Sequence, residues 1–231
     1  MSSPRDPRPA VGAEAAAFAE ITLREHALVR ADLKAHGWTR ALTASQQRQD
    51  AMAGLIASTL TPSLACKRGC AWCCHFKVEV RPEEVLQIAD HVRARFSPAR
   101  QQALYDTASR NAATLQALNP TQQLSANLPC PFLQESQCSI HAVRPARCRT
   151  LHATDAAGCQ QAFEEPHNLA IPHTLVPALV LTGEAHLKGA RQAFAEAGYD
   201  DSPQELNAAL AAALADGRPK RRFEKGKKAF V

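Results

Sequence analysis

Every cysteine of this chain lies between Cys66 and Cys159, and four of the eight arrive in one burst, Cys66-Lys-Arg-Gly-Cys70-Ala-Trp-Cys73-Cys74. The others follow as Cys130, Cys138, Cys148 and Cys159. This distribution restricts the fold, because the loops that carry the thiols must converge on something that uses sulfur. The start, Met1 to Pro9, is charged and Pro-rich and lacks the apolar stretch of a secretory signal. The most apolar run, Leu169 to Leu181, is short for a bilayer and holds Pro172, His173 and Pro177. The expectation is a soluble, cytoplasmic protein with no membrane partner. Thiols stay reduced there, so clustered cysteines favour metal or redox chemistry over structural disulfides.

At 231 residues the chain is one domain, or one domain with helical extensions. Aromatic residues are only 5% and much of the apolar content is Ala. The core should therefore be lean, and a bound metal would supplement it. The net charge of +5 comes from one end. Arg218, Lys220, Arg221, Arg222, Lys225, Lys227 and Lys228 face a single acid, Glu224, which leaves the rest nearly neutral. Such a tail is expected to be solvated and disordered. A nucleic-acid role would rest on it, with Phe223 and Phe230 as stacking residues.

The pattern along the chain predicts a mostly α fold: a small helical domain with irregular cysteine-rich metal-binding loops and at most a short strand or two. Residues 1–10 read as a disordered N-terminus and 11–62 as N-terminal helices. Residues 63–165 read as the cysteine-cluster metal-binding region, 166–216 as C-terminal helices and 217–231 as a basic disordered tail. Val11, Phe18, Ile21 and Leu28 predict a helix over 11–36, and Met52, Leu55, Ile56 and Leu60 another over 43–60, stopped by Pro62. Residues 66–74 should be a loop turned at Gly69, and His75 to Val80 alternates like a strand. Arg81-Pro82-Glu83-Glu84 opens a helix faced by Val85, Ala89, Val92 and Phe96. Ser97-Pro98 caps the next, over 98–118. A helix over 172–197, broken at Pro177 or Gly183, and an Ala-rich helix capped by Ser202 complete the reading. No internal repeat is present.

Zinc and iron–sulfur centres both take thiolate ligands, and short spacings let one loop deliver two or three sulfurs. Cys70 and Cys73 have C-x2-C spacing, Cys66 and Cys70 C-x3-C. In an extended backbone the neighbours Cys73 and Cys74 point apart and so play unequal parts. Spacing alone leaves open two four-cysteine zinc sites, one [4Fe-4S] cluster with spare thiols, or a mixed site that recruits a histidine. Cys159 fits no ligand spacing, and a small buried hydrophobe is the alternative reading there. His75, directly after the burst, is a candidate ligand or supporting donor, while His152, His167 and His173 fit no spacing.

Around these residues the chain resembles the cysteine-cluster proteins named for a CxxCxxCC motif (YkgJ-type). The burst is followed by Cys130-Pro131-Phe132-Leu133, Cys138-Ser139-Ile140 and Arg144-Pro145-Ala146-Arg147-Cys148-Arg149, in the order and spacing of that family. The resemblance covers about residues 66–160 and implies zinc or iron chelation by the cysteines, with no settled activity. Where the family often has Tyr this chain has His141, read as a packing residue rather than a ligand. Arg144 and Arg149 flank Cys148, where a cation favours thiolate. They are expected to pair with Glu79 or another acid.

The metal ligands expected are thus Cys66, Cys70, Cys73, Cys74, Cys130, Cys138, Cys148 and Cys159, for zinc or iron. The leading reading is a cytosolic metal-binding protein. One alternative is an iron–sulfur enzyme, since Cys66, Cys70 and Cys73 have radical S-adenosylmethionine spacing and part of the motif resembles that of flagellin lysine methylases. The alternating strands and helices of a partial barrel are not evident. Another is a zinc-stabilised nucleic-acid protein, and a thiol redox role applies to the metal-free form. No hydrolase triad, Walker loop or dinucleotide fingerprint is present. Oligomeric state is not legible.

Overall fold

The computed structural model describes residues 11–168, 170–171 and 174–231. The Pro-rich start expected to be disordered, and Leu169, Pro172 and His173 of the late apolar run, lie outside the described residues. In chain order come α1 (Val11–His36), α2 (Trp38–Ala57), a 3-10 turn (Trp72–His75), β1 (Glu79–Val80), α3 (Pro82–Arg95), α4 (Pro98–Gln116) and α5 (Pro120–Leu124). Next are β2 (Leu133–Gln134), β3 (Gln137–Cys138), a 3-10 turn (His141–Val143), α6 (Ala146–Thr150) and α7 (Ala156–Glu164). The chain continues through α8 (Pro177–Glu196), β4 (Gln204–Glu205), α9 (Leu206–Ala215) and α10 (Arg218–Phe223). The fold is mostly α, with two small antiparallel pairs, β1 with β4 and β2 with β3. No helix among the described residues is long and apolar enough to cross a membrane.

The core is built around α3, whose Pro at the first position and acids in the first turn start it where expected. One face of α3, with Val85, Leu86 and Ala89, packs with Val29 of α1, Trp38 and Leu42 of α2, Phe194 of α8, Leu206 of α9 and Phe223 of α10. The other face, with Ile88 and Val92, packs with Leu104 of α4, Leu210 of α9, and Phe132 and Ile140 around the β2–β3 hairpin. The half-buried Cys130 touches both clusters, and Cys138 touches the second. The core thus stands on helices from both sides of the cysteine region, and it is wider than the composition suggested.

The N-terminal helices bury a different face from the one the apolar spacing indicated. In α1 the buried residues are Thr22, Glu25 and Val29, and Leu28 is exposed. Glu25 is held in place by Arg48 of α2, with both oxygens bonded at 2.8 Å, and Arg48 also reaches Asp32 at 2.9 Å. In α2 the buried face runs through Trp38, Ala41, Leu42, Ser45, Gln46 and Gln49, while Leu55 is 70% exposed. Gly37, at φ +76°, separates the two helices, so α2 begins before the predicted residue 43.

Other expectations are corrected by local packing. Strand pairing is confined to Glu79 and Val80 because their partners are only Gln204 and Glu205, and His75 belongs to the 3-10 turn. The cap of α9 is Glu205, whose carboxylate accepts from Asn207 and Ala208 amides, rather than Ser202. Pro177 starts α8. Gly183 does not break it: a Cβ there would lie 2.7 Å from the Thr150 side chain, so this glycine lets α6 press against α8. The basic segment is not a free tail. Pro219 and Phe223 are buried in α10, and Lys220 pairs with Asp90 at 2.6 Å. Ala229 donates to Asp200 at 2.7 Å, and Phe230 packs on the core. Neither phenylalanine stands free to stack on a base.

Candidate metal centre

The Cys66 loop is tied to the segment after α6. Ala65 N–H donates to the Ala153 carbonyl at 2.9 Å, and Ala153 N–H donates to Cys66 Sγ at 3.3 Å. Gly69, at φ +92°, makes the tight turn that only a residue without Cβ takes easily, as its place in the burst predicts. Cys70 follows, and the chain then winds into the Trp72–His75 turn. That turn corrects the expected extended backbone at Cys73 and Cys74.

The burst joins the second cysteine group through the backbone: Cys130 N–H donates to the Cys74 carbonyl at 2.8 Å. Asn111 holds the segment just before it by donating to the Pro129 carbonyl at 2.9 Å. Cys138 sits opposite Leu133 in a two-residue hairpin whose turn residues, Glu135 and Ser136, both have positive φ. That is the turn geometry that matches strand twist, made here without the usual Asn-Gly, so no sequence signal announced it. Cys148 lies on α6. On the far side, α7 carries Cys159 and packs on the Trp72–His75 turn through Phe163. The Phe163 ring centroid is 5.4 Å from that of Trp72 and 4.6 Å from that of His75.

All eight cysteines are free thiols. Burial raises the Cys66, Cys130, Cys138, Cys148 and Cys159 thiols, Cys130 to about 11. The Cys73 thiol is raised first by its bond to Cys74 and then by burial. Although Cys73 and Cys148 reach solvent, both sulfurs are crowded by protein. Neighbouring thiols add to the rise, Cys66 and Cys70 at Cys159, and Cys130 and Cys138 at Cys148. Cys159, which fitted no spacing, lies on α7, which meets the burst through Phe163.

Several groups oppose the burial of charge. The Ala153 N–H bonds to Cys66 Sγ, and the backbone of Phe132 and of Ile140 lowers the Cys130 and Cys138 thiols against their burial. An N–H aimed at sulfur favours thiolate over thiol. Arg144 and Arg149 also lower the Cys138 thiol. Their acid partner is Asp50 of α2, at 2.9 Å from Arg144, with Arg149 bonded to the other oxygen. Glu79 pairs with Arg81 instead. This donor set, thiols with amides and cations placed to stabilise their anions, fits a thiophilic cation such as zinc or iron. Among the described residues, no three Cys, His, Asp or Glu side chains are already gathered tightly enough to hold an ion. Binding therefore requires the thiols of a group to close in.

His75 and His141 are engaged elsewhere. His75 Nδ1 bonds the Ala71 carbonyl at 3.2 Å and its ring packs on Phe163. His141 is exposed, 3.3 Å from Arg144, and burial together with Arg144 and Arg149 keeps it below the usual histidine range. His152 lines an open cleft of about 300 Å³ with His141, Arg144 and Asp50, and its buried Nδ1 has no hydrogen-bond partner among the described residues.

Three supporting residues were not anticipated. Glu84 is fully buried and accepts from Arg81 N–H at 2.8 Å and from Ala146 N–H at 2.7 Å, so one carboxylate fixes the starts of α3 and α6. Gln49 donates to the Ala146 carbonyl at 3.3 Å and Thr150 Oγ1 at 3.2 Å, and Asp50 holds both arginines. A first-turn acid in α3 reads locally as a helix-dipole residue, and nothing in the sequence pairs it with residue 146.

Residues 65–169 match the model of the CxxCxxCC family, described as "Putative zinc- or iron-chelating domain". No curated protein and no solved structure matches the chain. The matched segment carries all eight cysteines, with the loops, hairpin and short helices around them.

Proposed function

We propose that this protein is a metal-binding protein that holds zinc or iron as cysteine thiolates, with Cys66, Cys70, Cys73, Cys74, Cys130, Cys138, Cys148 and Cys159 as ligands or immediate neighbours of ligands. The observation that carries the reading is that two cysteine-bearing segments distant in sequence meet the Cys73–Cys74 turn: Cys130 N–H bonds to the Cys74 carbonyl, and α7, which carries Cys159, packs on the turn through Phe163. Cys66 Sγ accepts the Ala153 N–H, and Arg144 and Arg149 lower the Cys138 thiol. A bound ion would cross-link those segments.

Binding rather than catalysis is the function this supports. Arg144 and Arg149 are paired with Asp50 and so serve the centre as fixed positive charge. Their role is to offset thiolate charge, not to hold a substrate.

The test is metal and acid-labile sulfide content, with a visible spectrum, on protein purified without oxygen and without a metal-affinity tag. Bound zinc in colourless protein, or bound iron without sulfide, is the expected result. Brown protein with stoichiometric sulfide would instead make this an iron–sulfur protein, and the test would then turn to whether S-adenosylmethionine perturbs the spectrum. Protein that binds neither metal would overturn the reading.

A further inference from the structure

A second feature is built without the cysteines, from α1, α8 and the end of the chain. An open cleft of about 350 Å³ lies between α1 and the end of α8, against the apolar surfaces of Leu33 and Ala193. Tyr199 lines it, with its ring stacked on Phe223 of α10 at 4.9 Å. Arg30 and Lys34 stand at the same cleft. Its acid, Glu196, is engaged by His26 at 2.9 Å and by Arg30 at 3.8 Å. Beside Tyr199 the chain after α10 closes into a fixed loop. Arg222 donates to the Lys228 carbonyl at 2.6 Å, Lys227 N–H donates to the Arg222 carbonyl at 3.0 Å, and Gly226 turns at φ +64°. A Cβ on Gly226 would lie 2.9 Å from the Gly198 carbonyl oxygen, so the loop rests directly on the residue before Tyr199. Lys225, Lys227 and Lys228 are exposed on it. The acids nearby are already engaged: Asp216 with Arg218 and Asp90 with Lys220, both at 2.6 Å, and Asp200 with the Ala229 amide at 2.7 Å. Among the described residues, none of Lys34, Lys225, Lys227 and Lys228 has an acid partner.

We propose that this cleft and the loop beside it bind single-stranded nucleic acid, with a base against Tyr199 and the flanking phosphates on Lys34, Lys225, Lys227 and Lys228. A single strand needs cations along its backbone and an aromatic ring among them, because phosphates supply salt-dependent affinity and an unstacked base supplies the ring contact. Both are present here within one surface. Phe223 and Phe230 take no part, since they pack inward. The loop is closed by its own hydrogen bonds, so its lysines are presented at set positions and less ordering accompanies binding than for a free tail. A duplex keeps its bases inside the stack, so it would meet the lysines and leave the cleft unfilled. An acidic peptide or an anionic membrane would likewise use the charge alone. The site contains no cysteine and stands independently of the metal-binding reading.

The test is fluorescence anisotropy of a labelled single-stranded RNA of mixed sequence with the full chain, over a series of salt concentrations, each variant being checked for helicity. Binding that weakens with salt and exceeds that of the matching duplex by about tenfold is the expected result. The triple variant Lys225→Ala, Lys227→Ala, Lys228→Ala should lower the slope of log affinity against log salt by about 2, the value for three single-strand phosphate contacts. Tyr199→Leu should weaken binding about tenfold and leave that slope unchanged. Arg110→Glu, exposed on α4, should change neither. No binding by the unaltered protein at about 50 mM salt would overturn the proposal. So would an Arg110→Glu loss as large as that of the triple variant, which would reduce the effect to net charge. Equal binding of the duplex, of an acidic peptide or of anionic lipid vesicles would overturn it too. Should Tyr199→Leu lose its helices, Lys34→Glu, exposed at the cleft, takes its place, and unchanged affinity in that variant rejects the site.

Discussion

Single side chains decide how the centre is held, and Glu84 is the clearest case. Its carboxylate accepts the first amides of two helices while fully buried. Glu84→Ala would strand both N–H groups, at about 1–3 kcal/mol for each buried group left unsatisfied. Urea unfolding should show that loss, and Glu84→Gln, which keeps one acceptor oxygen, should lose less. The thiols give a pH dependence that only the metal-free state should show. In the metal-free protein, burial raises the Cys130 thiol to about 11, above the ordinary thiol range near 8.5–9. The folded chain therefore keeps a proton that the unfolded chain has lost. Stability contributed by this group is complete below about pH 8.5 and falls as pH rises toward 11. Metal-loaded protein has no thiol proton to lose there, so its melting temperature should stay level across the window in which that of the metal-free form drops.

At the level of elements, α7, which carries Cys159, is the least supported part of the cysteine region. Helix α7 has no buried residue and meets the centre through Phe163 against Trp72 and His75. Phe163→Ala should lower the local opening energy of α7 by about 1–2 kcal/mol, the scale of an aromatic pair with partial burial. Hydrogen exchange should quicken across 156–164 and leave α3 and α9 unchanged. Much of this level was legible in the sequence. Helices α3 and α4 follow from Pro at the first position, flanking caps and regular apolar spacing, and the Gly69 turn from its place in the burst. The reading failed where polar residues are buried, because Glu25, Gln46 and Gln49 hide the inward faces of α1 and α2 behind a pattern that looks solvent-facing. It failed again at the hairpin, whose Glu135-Ser136 turn carries none of the usual residues. The cysteines were visible as a set. Which of them share a side was not, because that depends on α6 and α7 packing against segments distant in sequence.

Over the whole molecule, the segment after α9 is the surprise. Seven basic residues suggested a solvated tail, but two apolar positions override them, since Phe223 is fully buried with Trp38 at a ring distance of 5.4 Å and Tyr199 stacked at 4.9 Å. Phe223→Ala should cost about 3–5 kcal/mol of global stability, whereas Arg221→Ala, exposed on the same helix, should change it by less than about 0.5 kcal/mol. Denaturant unfolding followed by far-ultraviolet ellipticity separates the two. The Trp38–Phe223 contact also has a kinetic consequence. It joins positions near opposite ends of the sequence, with every cysteine in the stretch between them, and closing so long a loop is slow compared with forming a helix. During that delay the thiols are tethered within one large, open ring, free to meet in any pairing that an oxidant allows. Refolding in air should therefore lose material to scrambled disulfides in proportion to the time the ring stays open. Reductant, or a metal that claims the sulfurs early, should restore the yield without changing the final fold.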